Sequence, residues 1–272
     1  MRIISPRPDE RFTIGSDTTP PVLNLQTDGT GPHVWEWTMT WRTHTRSGRE
    51  TTTGNTLRLH TQIANIGGRL AIGVLAGGRS ASVTVQVVGA NPTAEQLRTY
   101  VNAQPNSRGF LTIINHESRG RHFNDRGEPI RSFDGGYGMC QLTNPAPTFE
   151  QCWSWKQNVL GGLRLFAEKR IAAINYLRQR GRVYTDLQLE RETVARWNGG
   201  AYHSWSGTEW VRNPDILCAP GTGNIGWDMT DPRNAGQTLE QLRTRDAASF
   251  RRPRAAGAPW RYTGVCYADA LL

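Results

Sequence analysis

A glutamate at the end of an apolar segment is the first candidate for chemistry in this chain. Glu117 follows the apolar residues 110–114, which predicts a place near the end of a mostly buried helix. Because desolvation disfavours the charged form of a carboxyl group, we expect its pKa to be raised. A carboxylic acid that stays protonated near neutral pH can act as a general acid. Taken alone this is weak evidence, because a glutamate at a helix end is usually only a surface residue.

Three later segments give this glutamate a context. Residues 116–118 have the sequence HES, and residues 135–143 have GGYGMCQLT. Residues 155–163 have WKQNVLGGL, and residues 195–200 have ARWNGG. In this order the four segments resemble the motifs of the soluble lytic transglycosylases, peptidoglycan-cleaving relatives of the goose-type lysozymes. The family pattern is Glu-Ser, Gly-Leu-Met-Gln-Leu, Asn-x-x-x-Gly before a long helix, and aromatic-Asn-x-Gly.

The resemblance covers about residues 93–205 and implies roles for individual positions. Glu117 matches the catalytic acid, and Ser118 matches a serine expected to hydrogen-bond near the reacting sugar. The other positions expected to bind substrate are Tyr137, Gln141, Asn158, Trp197 and Asn198. Two positions depart from the family pattern. Cys140 stands where methionine is common, and Trp197 stands where a tyrosine is usual, so any role of that hydroxyl is lost or moved.

The resemblance implies cleavage of the glycan strand by a single acid. Glu117 would protonate the oxygen between MurNAc and GlcNAc, and its carboxylate would then accept the proton of the 6-hydroxyl of MurNAc. That hydroxyl attacks the anomeric carbon and gives a 1,6-anhydro product. This chemistry needs no cofactor, and the histidines show no spacing typical of metal ligands, so we expect neither a cofactor nor a metal.

A second carboxylate would favour hydrolysis, because ordinary glycosidases use a pair of carboxyl groups. Asp125, Glu128 and Asp134 lie between the Glu117 and Gln141 motifs, where goose-type lysozymes also carry acids. One of them could hold a water, or all three are ordinary groups of a solvated loop. The alternatives to a transglycosylase are therefore a muramidase and a degenerate module that binds glycan or an assembly partner without cutting it.

Two hydrophobic periodicities divide the chain near residue 92. Alternate residues from 35 to 41 are tryptophan or methionine, and alternate residues from 83 to 87 are valine, which predicts half-buried strands. With glycine-containing turn signals between them, these segments predict a small antiparallel β-sandwich over residues 1–92. The stretch from Gly68 to Gly89 resembles the last two strands of an immunoglobulin-like bacterial domain, which implies an immunoglobulin-like module. The tryptophan stripe is interpreted as core, with a sugar-binding platform as the alternative.

The segment after residue 92 is predicted to be mainly helical. Thr93 and Gln96 have the spacing of a capping box. Helices are expected over about 93–104, 107–118, 159–177 (ended by Gly181) and 186–197, with a helical patch near 237–248 in an irregular extension from about 206. The predicted fold class is thus α+β, with the sandwich followed by a lysozyme-like helical domain over residues 93–272.

The four cysteines, which all lie in the second half, leave two interpretations open. An even count fits two disulfides in an oxidising compartment, or four buried free thiols. Proximity along the chain favours pairing Cys140 with Cys152 and Cys218 with Cys266.

Charge and segment composition bear on partners and location. The formal net charge is +9, which suits an acidic polymer such as the bacterial cell wall or simply reflects a soluble basic surface. No nucleic-acid-binding motif and no apolar stretch long enough to span a membrane are visible. No signal peptide is visible either. The protein therefore stays inside the cell, leaves it by a route other than general secretion, or has had a leader removed. The resemblance implies action in the periplasm or cell wall, which we expect after non-Sec secretion or delivery into a target cell. Residues 1–92 would dock on a secretion or tail apparatus, and an immunity protein would block the cleft.

Overall fold

The computed structural model describes residues 1–60, 62–133, 135–250 and 257–272. Within these ranges the chain is a mixed α+β protein with seven α-helices and several antiparallel sheets. The residues group into two compact units. The first comprises Met1–Ser107 and Ile114–Gly162, and the second comprises Arg108–Ile113 and Leu163–Leu272.

Eight strands open the first unit. They are β1 (Ile3–Ser5), β2 (Arg11–Ile14), β3 (Leu23–Thr27), β4 (His33–Trp41), β5 (His44–Thr52), β6 (Thr56–Leu59), β7 (Gly68–Ala76) and β8 (Arg79–Gly89). One sheet has the order β2-β8-β7-β4-β5, and the other has the order β1-β3-β6. All pairings are antiparallel except β2 with β8, which run parallel. The five-stranded sheet is therefore mixed, whereas an all-antiparallel arrangement was expected.

The alternation along β4 is confirmed as a core pattern. Trp35, Trp37, Met39 and Trp41 are buried and belong to one hydrophobic cluster with inward residues of both sheets. Because both sheets contribute to a single core, they pack face to face as a sandwich. Gly48 on β5 lies against the Trp37 ring, where any Cβ atom would stand within 2.6 Å of ring atoms.

Four helices follow the strands, namely α1 (Ala94–Asn102), α2 (Phe110–Ser118), α3 (Phe149–Trp153) and α4 (Trp155–Leu177). The capping box at Thr93 and Gln96 is present. Helix α4 ends at Leu177, ahead of the expected stop at Gly181, and the division between the units falls inside α2 and α4. None of the helices in the described ranges is both long and apolar enough to cross a membrane.

The boundary expected near residue 92 does not coincide with the division into units. The core of the sandwich also contains Phe123, Phe149, Cys152 and Trp153. The reason is aromatic packing across distant parts of the chain. Trp153, for example, fills the space beside Gly67, where a Cβ atom would approach its ring to 2.4 Å.

The remaining elements belong to the second unit. They are α5 (Asp186–Trp197), β9 (His203–Trp205), β10 (Trp210–Arg212), β11 (Ile216–Cys218), β12 (Ile225–Asp228), α6 (Leu239–Asp246), β13 (Trp260–Tyr262) and α7 (Gly264–Leu271). The extension from about 206 was expected to be irregular, and that expectation is wrong. Its strands form part of a two-stranded and a three-stranded sheet, and Trp227, Leu242 and Trp260 give it a core of its own.

Candidate active site

The candidate acid lies in the last turn of helix α2. Phe110, Ile113 and Ile114 are buried, which fixes the orientation of the helix and leaves Glu117 partly buried on its last turn. Ser118 is the last helical residue, and its Oγ donates a hydrogen bond to the Ile114 carbonyl at 3.0 Å. The hydroxyl is thus oriented by its own helix, with its oxygen still able to accept a bond.

The GGYGMCQLT segment forms a tight turn. The backbone N–H of Tyr137 donates to the Leu142 carbonyl at 3.0 Å, and the N–H of Leu142 donates back at 3.1 Å. Gly138 has a φ of +70°, and a Cβ atom there would stand 2.6 Å from Nδ2 of Asn158. Glycine is therefore needed for both the backbone conformation and the close approach. We call residues 137–142 the motif turn.

Asn158 holds this turn from helix α4. The residue is completely buried. Its Oδ1 accepts from the Cys140 N–H at 2.9 Å, and its Nδ2 donates to the carbonyls of Tyr137 at 3.0 Å and Gln151 at 3.1 Å. These bonds occupy both donors and one acceptor site of the amide. The structure thus gives Asn158 a positioning role inside the protein, whereas direct substrate contact was expected.

His122 is a second support, which the sequence analysis did not single out. It is completely buried, with Nε2 2.8 Å from the Cys152 carbonyl and Nδ1 accepting from the Met139 N–H at 3.3 Å. Burial lowers the pKa of His122 to about 4, so the ring is neutral at neutral pH. Two successive amides of the motif turn, those of Met139 and Cys140, are therefore held by side chains. No local spacing could have revealed this, because the partners lie far apart in sequence.

Gln141 is the strained and incompletely bonded member of the turn. Its φ is +50°, a left-handed conformation that non-glycine residues rarely adopt. Its Nε2 donates to the Gly138 carbonyl at 2.6 Å, while its buried Oε1 has no hydrogen-bond partner among the described residues. Strain and unsatisfied acceptors of this kind concentrate at functional sites.

The Glu117 carboxylate acts electrostatically on the thiol of Cys140, a residue of the motif turn. Cys140 is buried, and burial together with the nearby Glu117 carboxylate raises the pKa of its thiol. Glu117 therefore acts electrostatically on the residue next to Gln141.

The cysteine pairing is confirmed for one pair and wrong for the other. Cys218 and Cys266 form a disulfide that ties β11 to α7 in the second unit. Cys140 and Cys152 are both free and buried. The Cys140 backbone is held by Asn158, and the Cys152 sulfur faces Nε2 of His44 at 4.0 Å. Burial raises the pKa of the Cys152 thiol to about 12, so it is not a reactive thiolate.

Two of the acids considered for water activation, Asp125 and Glu128, lie at an exposed turn. The side chain of Asp125 is 95% exposed and pairs with Arg121. Glu128 is also exposed, and Asn124 closes the turn between them by accepting from the Glu128 N–H at 3.1 Å. Asp134, the third candidate, lies outside the described residues.

Trp197 and Asn198 lie in the second unit. The Trp197 ring packs against Phe110 and Phe166, with ring centroids 5.6 and 6.4 Å away. Asn198 caps α5, its N–H donating to the Ala195 carbonyl at 3.2 Å. Both residues are partly buried.

A buried carboxylate on helix α5 holds the backbone that follows this helix. Glu192 is completely buried and accepts from the N–H groups of Tyr202 and His203, both at 3.0 Å. Its other oxygen lies 2.8 Å from the Arg196 guanidinium. In sequence the residue resembles an ordinary helix-surface charge, so no signal pointed to it.

The described residues include no group of three or more His, Cys, Asp or Glu side chains that could hold a metal ion. Comparison with known protein families and with curated proteins finds no match for the chain. The case for a function therefore rests on the four motifs and on the geometry of the residues they contain.

Proposed function

We propose that this protein is a peptidoglycan lytic transglycosylase that cleaves the β-1,4 bond between MurNAc and GlcNAc. The observation that carries the proposal is the motif turn, whose Met139 and Cys140 amides are held by His122 and Asn158 and whose Cys140 thiol has its pKa raised by burial and by the Glu117 carboxylate. One carboxyl group beside fixed neutral polar groups suits a reaction that uses a hydroxyl of the substrate itself as nucleophile.

Glu117 carries both proton transfers. As a carboxylic acid it gives its proton to the glycosidic oxygen, and the bond between that oxygen and C1 of MurNAc breaks. The resulting carboxylate accepts the proton of the MurNAc 6-hydroxyl as its oxygen bonds to C1. The acid is thereby regenerated, no water is consumed, and the products are a free 4-hydroxyl on GlcNAc and a 1,6-anhydroMurNAc end.

The motif turn supplies orientation. The unpartnered Oε1 of Gln141 can accept a hydrogen bond from a sugar hydroxyl, and a ligand there would satisfy a buried acceptor. Because Met139 and Cys140 are held through their amides, the turn is organised before substrate binds. Preorganisation of this kind lowers the entropic barrier to reaction.

The exposed acids favour transglycosylation over hydrolysis. A general base that activates water must stand opposite the acid across the scissile bond. Asp125 instead pairs with Arg121 in solvent, and Glu128 is exposed at the same turn. For these two described acids, the placement favours a mechanism in which neither activates a water.

The proposed setting is the periplasm or cell wall. A disulfide between Cys218 and Cys266 fits an oxidising compartment, and a net charge of +9 favours association with the anionic wall. Delivery through a secretion or tail apparatus that recognises residues 1–92, and inhibition by an immunity protein at the Glu117 site, complete the proposal.

Digestion of purified cell wall in water labelled with oxygen-18 tests the reaction type. We expect muropeptides that end in anhydroMurNAc, lack the mass of one water and carry no label. A known muramidase, run in parallel, should give labelled reducing ends. Labelled reducing ends from this protein would identify a hydrolase, and binding without release would identify a non-catalytic module.

A further inference from the structure

The core of the β-sandwich continues into the site-bearing segment. Phe123, Phe149 and Trp153 are buried members of the sandwich cluster, and Tyr137 packs against it. All of these residues belong to the first unit. The strands are therefore in direct contact with the part of the chain that forms the motif turn.

Trp41, the last residue of β4, makes the central contact. Its ring meets the Tyr137 ring edge-on, with centroids 5.5 Å apart, and meets the Trp153 ring in the same way at 5.5 Å. Edge-to-face pairs at this separation are favourable and depend on orientation. One sandwich residue thus touches both the first residue of the motif turn and the helix that precedes α4.

The position of Tyr137 determines the position of the turn. Its N–H and C=O bond to Leu142 and close the turn, and its carbonyl also accepts from Asn158. A shift of Tyr137 would therefore move both ends of the turn and the amides between them. On its outer side, the Arg131 guanidinium lies 5.5 Å from the Tyr137 ring centroid.

The end of strand β8 and the residues after it fix His122, the side chain that holds the Met139 amide. The Phe123 ring covers Gly89 at the end of β8, where a Cβ atom would stand 2.2 Å from the ring. Asn91 accepts from the N–H groups of both His122 and Phe123, at 2.7 and 2.8 Å. The imidazole that holds the Met139 amide is thereby fixed to the chain that leaves the sandwich.

From these contacts we infer that the sandwich is part of the substrate-binding apparatus, with Trp41 as a positioning residue for the motif turn. Beyond any docking function, the sandwich determines how Tyr137 and Gln141 meet the glycan. This inference rests on the proposed function for its kinetic consequence only, since its structural consequence can be measured without any activity.

The experiment compares Trp41→Leu with Trp35→Leu in the full chain. Trp35 is a matched control, because it is a buried tryptophan of the same strand and cluster whose Nε1 donates to Thr52 at 3.1 Å, and it lies outside the Tyr137 contact. Hydrogen exchange at the Met139 and Cys140 amides and the KM and kcat for glycan cleavage are measured in both variants. Trp41→Phe, which keeps an aromatic ring, is the rescue variant.

We expect amide exchange in Trp41→Leu to be at least about tenfold faster than in Trp35→Leu, and KM to rise about tenfold with a smaller change in kcat. Trp41→Phe should restore both quantities to within about threefold of wild type. Equal exchange and equal KM in the two leucine variants would overturn the inference.

A variant at the other side of the contact covers the case in which Trp41→Leu does not fold. Tyr137→Leu changes a partly buried loop residue and should accelerate exchange at the same two amides to the same degree. Unchanged exchange in Tyr137→Leu would also overturn the inference. Should the wild type release no muropeptides, the proposed function fails, while the exchange comparison still decides the role of Trp41.

Discussion

The side-chain oxygen of Asn158 accepts a hydrogen bond from the backbone N–H of Cys140 at 2.9 Å. Through this bond, the first turns of helix α4 hold the residue that precedes Gln141. The same amide donates to the Tyr137 carbonyl at 3.0 Å, so one buried side chain bridges the turn near both of its ends. The glycine-rich segment is therefore held at two points by one side chain of helix α4.

Replacing this amide is expected to loosen the motif turn. Asn158→Ala leaves the N–H of the buried Cys140 and the carbonyl of Gln151 without this partner. We expect the free energy of unfolding to fall by about 2–4 kcal/mol, as measured by urea denaturation. Gln157→Ala, one residue away and exposed, is the control and should change it by less than about 0.5 kcal/mol. Equal stabilities of the two variants would contradict the role of Asn158.

A methyl group on Gly138 is expected to disrupt the same contact. Gly138→Ala introduces strain at a φ of +70° and a clash with Asn158 and His122. Gly181→Ala is a matched control, since Gly181 has a φ of +71° with open space around the added Cβ. The control should lose about 1–2 kcal/mol from backbone strain alone, and Gly138→Ala should lose about 1–3 kcal/mol more. Thermal unfolding of both variants measures the difference, which would be absent if the turn did not pack on Asn158.

The buried imidazole of His122 predicts a pH dependence of stability. Its pKa in the folded protein, about 4, lies below the ordinary value of 6.5. Between these values the unfolded chain binds a proton that the folded chain does not, so this contribution is complete above pH 6.5 and is lost as the pH falls towards 4. The loss amounts to about 3 kcal/mol at most. Urea denaturation between pH 7 and pH 4 measures it.

A His122→Gln variant isolates this contribution. Glutamine does not titrate, so the part of the pH dependence that comes from the imidazole should disappear, although the variant is less stable throughout. A wild type and a variant with parallel profiles between pH 6.5 and pH 4 would show that the imidazole is not held neutral.

The cysteine assignment predicts a thiol count. Under denaturing conditions without reductant, two thiols should react with a thiol reagent, those of Cys140 and Cys152, and four should react after reduction. Replacing both Cys218 and Cys266 by alanine should lower the free energy of unfolding by up to about 4 kcal/mol, given a separation of 48 residues. The Cys140→Ala, Cys152→Ala double variant should leave no reactive thiol before reduction. Four reactive thiols in the unreduced wild type would refute the disulfide.

Local patterns in the sequence predicted strands β4 and β8 and five of the seven described helices. The alternation from Trp35 to Trp41 gave a buried strand, and Thr93 with Gln96 gave a helix start, because each depends on residues that are close in sequence. The four motif segments predict Glu117, Gln141 and Asn158 as site residues, and the structure shows that Asn158 bonds to the segment that contains Gln141.

Contacts between distant residues could not be predicted in this way. The contact of Trp153 with Gly67 and the bond from Met139 to His122 join residues that no periodicity relates. Strands of only three residues, such as β9 (His203–Trp205), are too short to show alternation, so the sheets of the second unit were missed. Local patterns also could not show that Asn158 is buried and holds the motif turn, because burial depends on the whole fold.

The most direct test of the account is the muropeptide pattern released from purified cell wall by the wild type and by Glu117→Gln. Glu128→Gln, which alters an exposed acid of the same unit, is the control. We predict anhydro-muropeptides from the wild type and from Glu128→Gln, and none from Glu117→Gln although its unfolding transition is preserved. Release of anhydro-muropeptides by Glu117→Gln at the wild-type rate would contradict the central claim that this single carboxyl group carries the reaction.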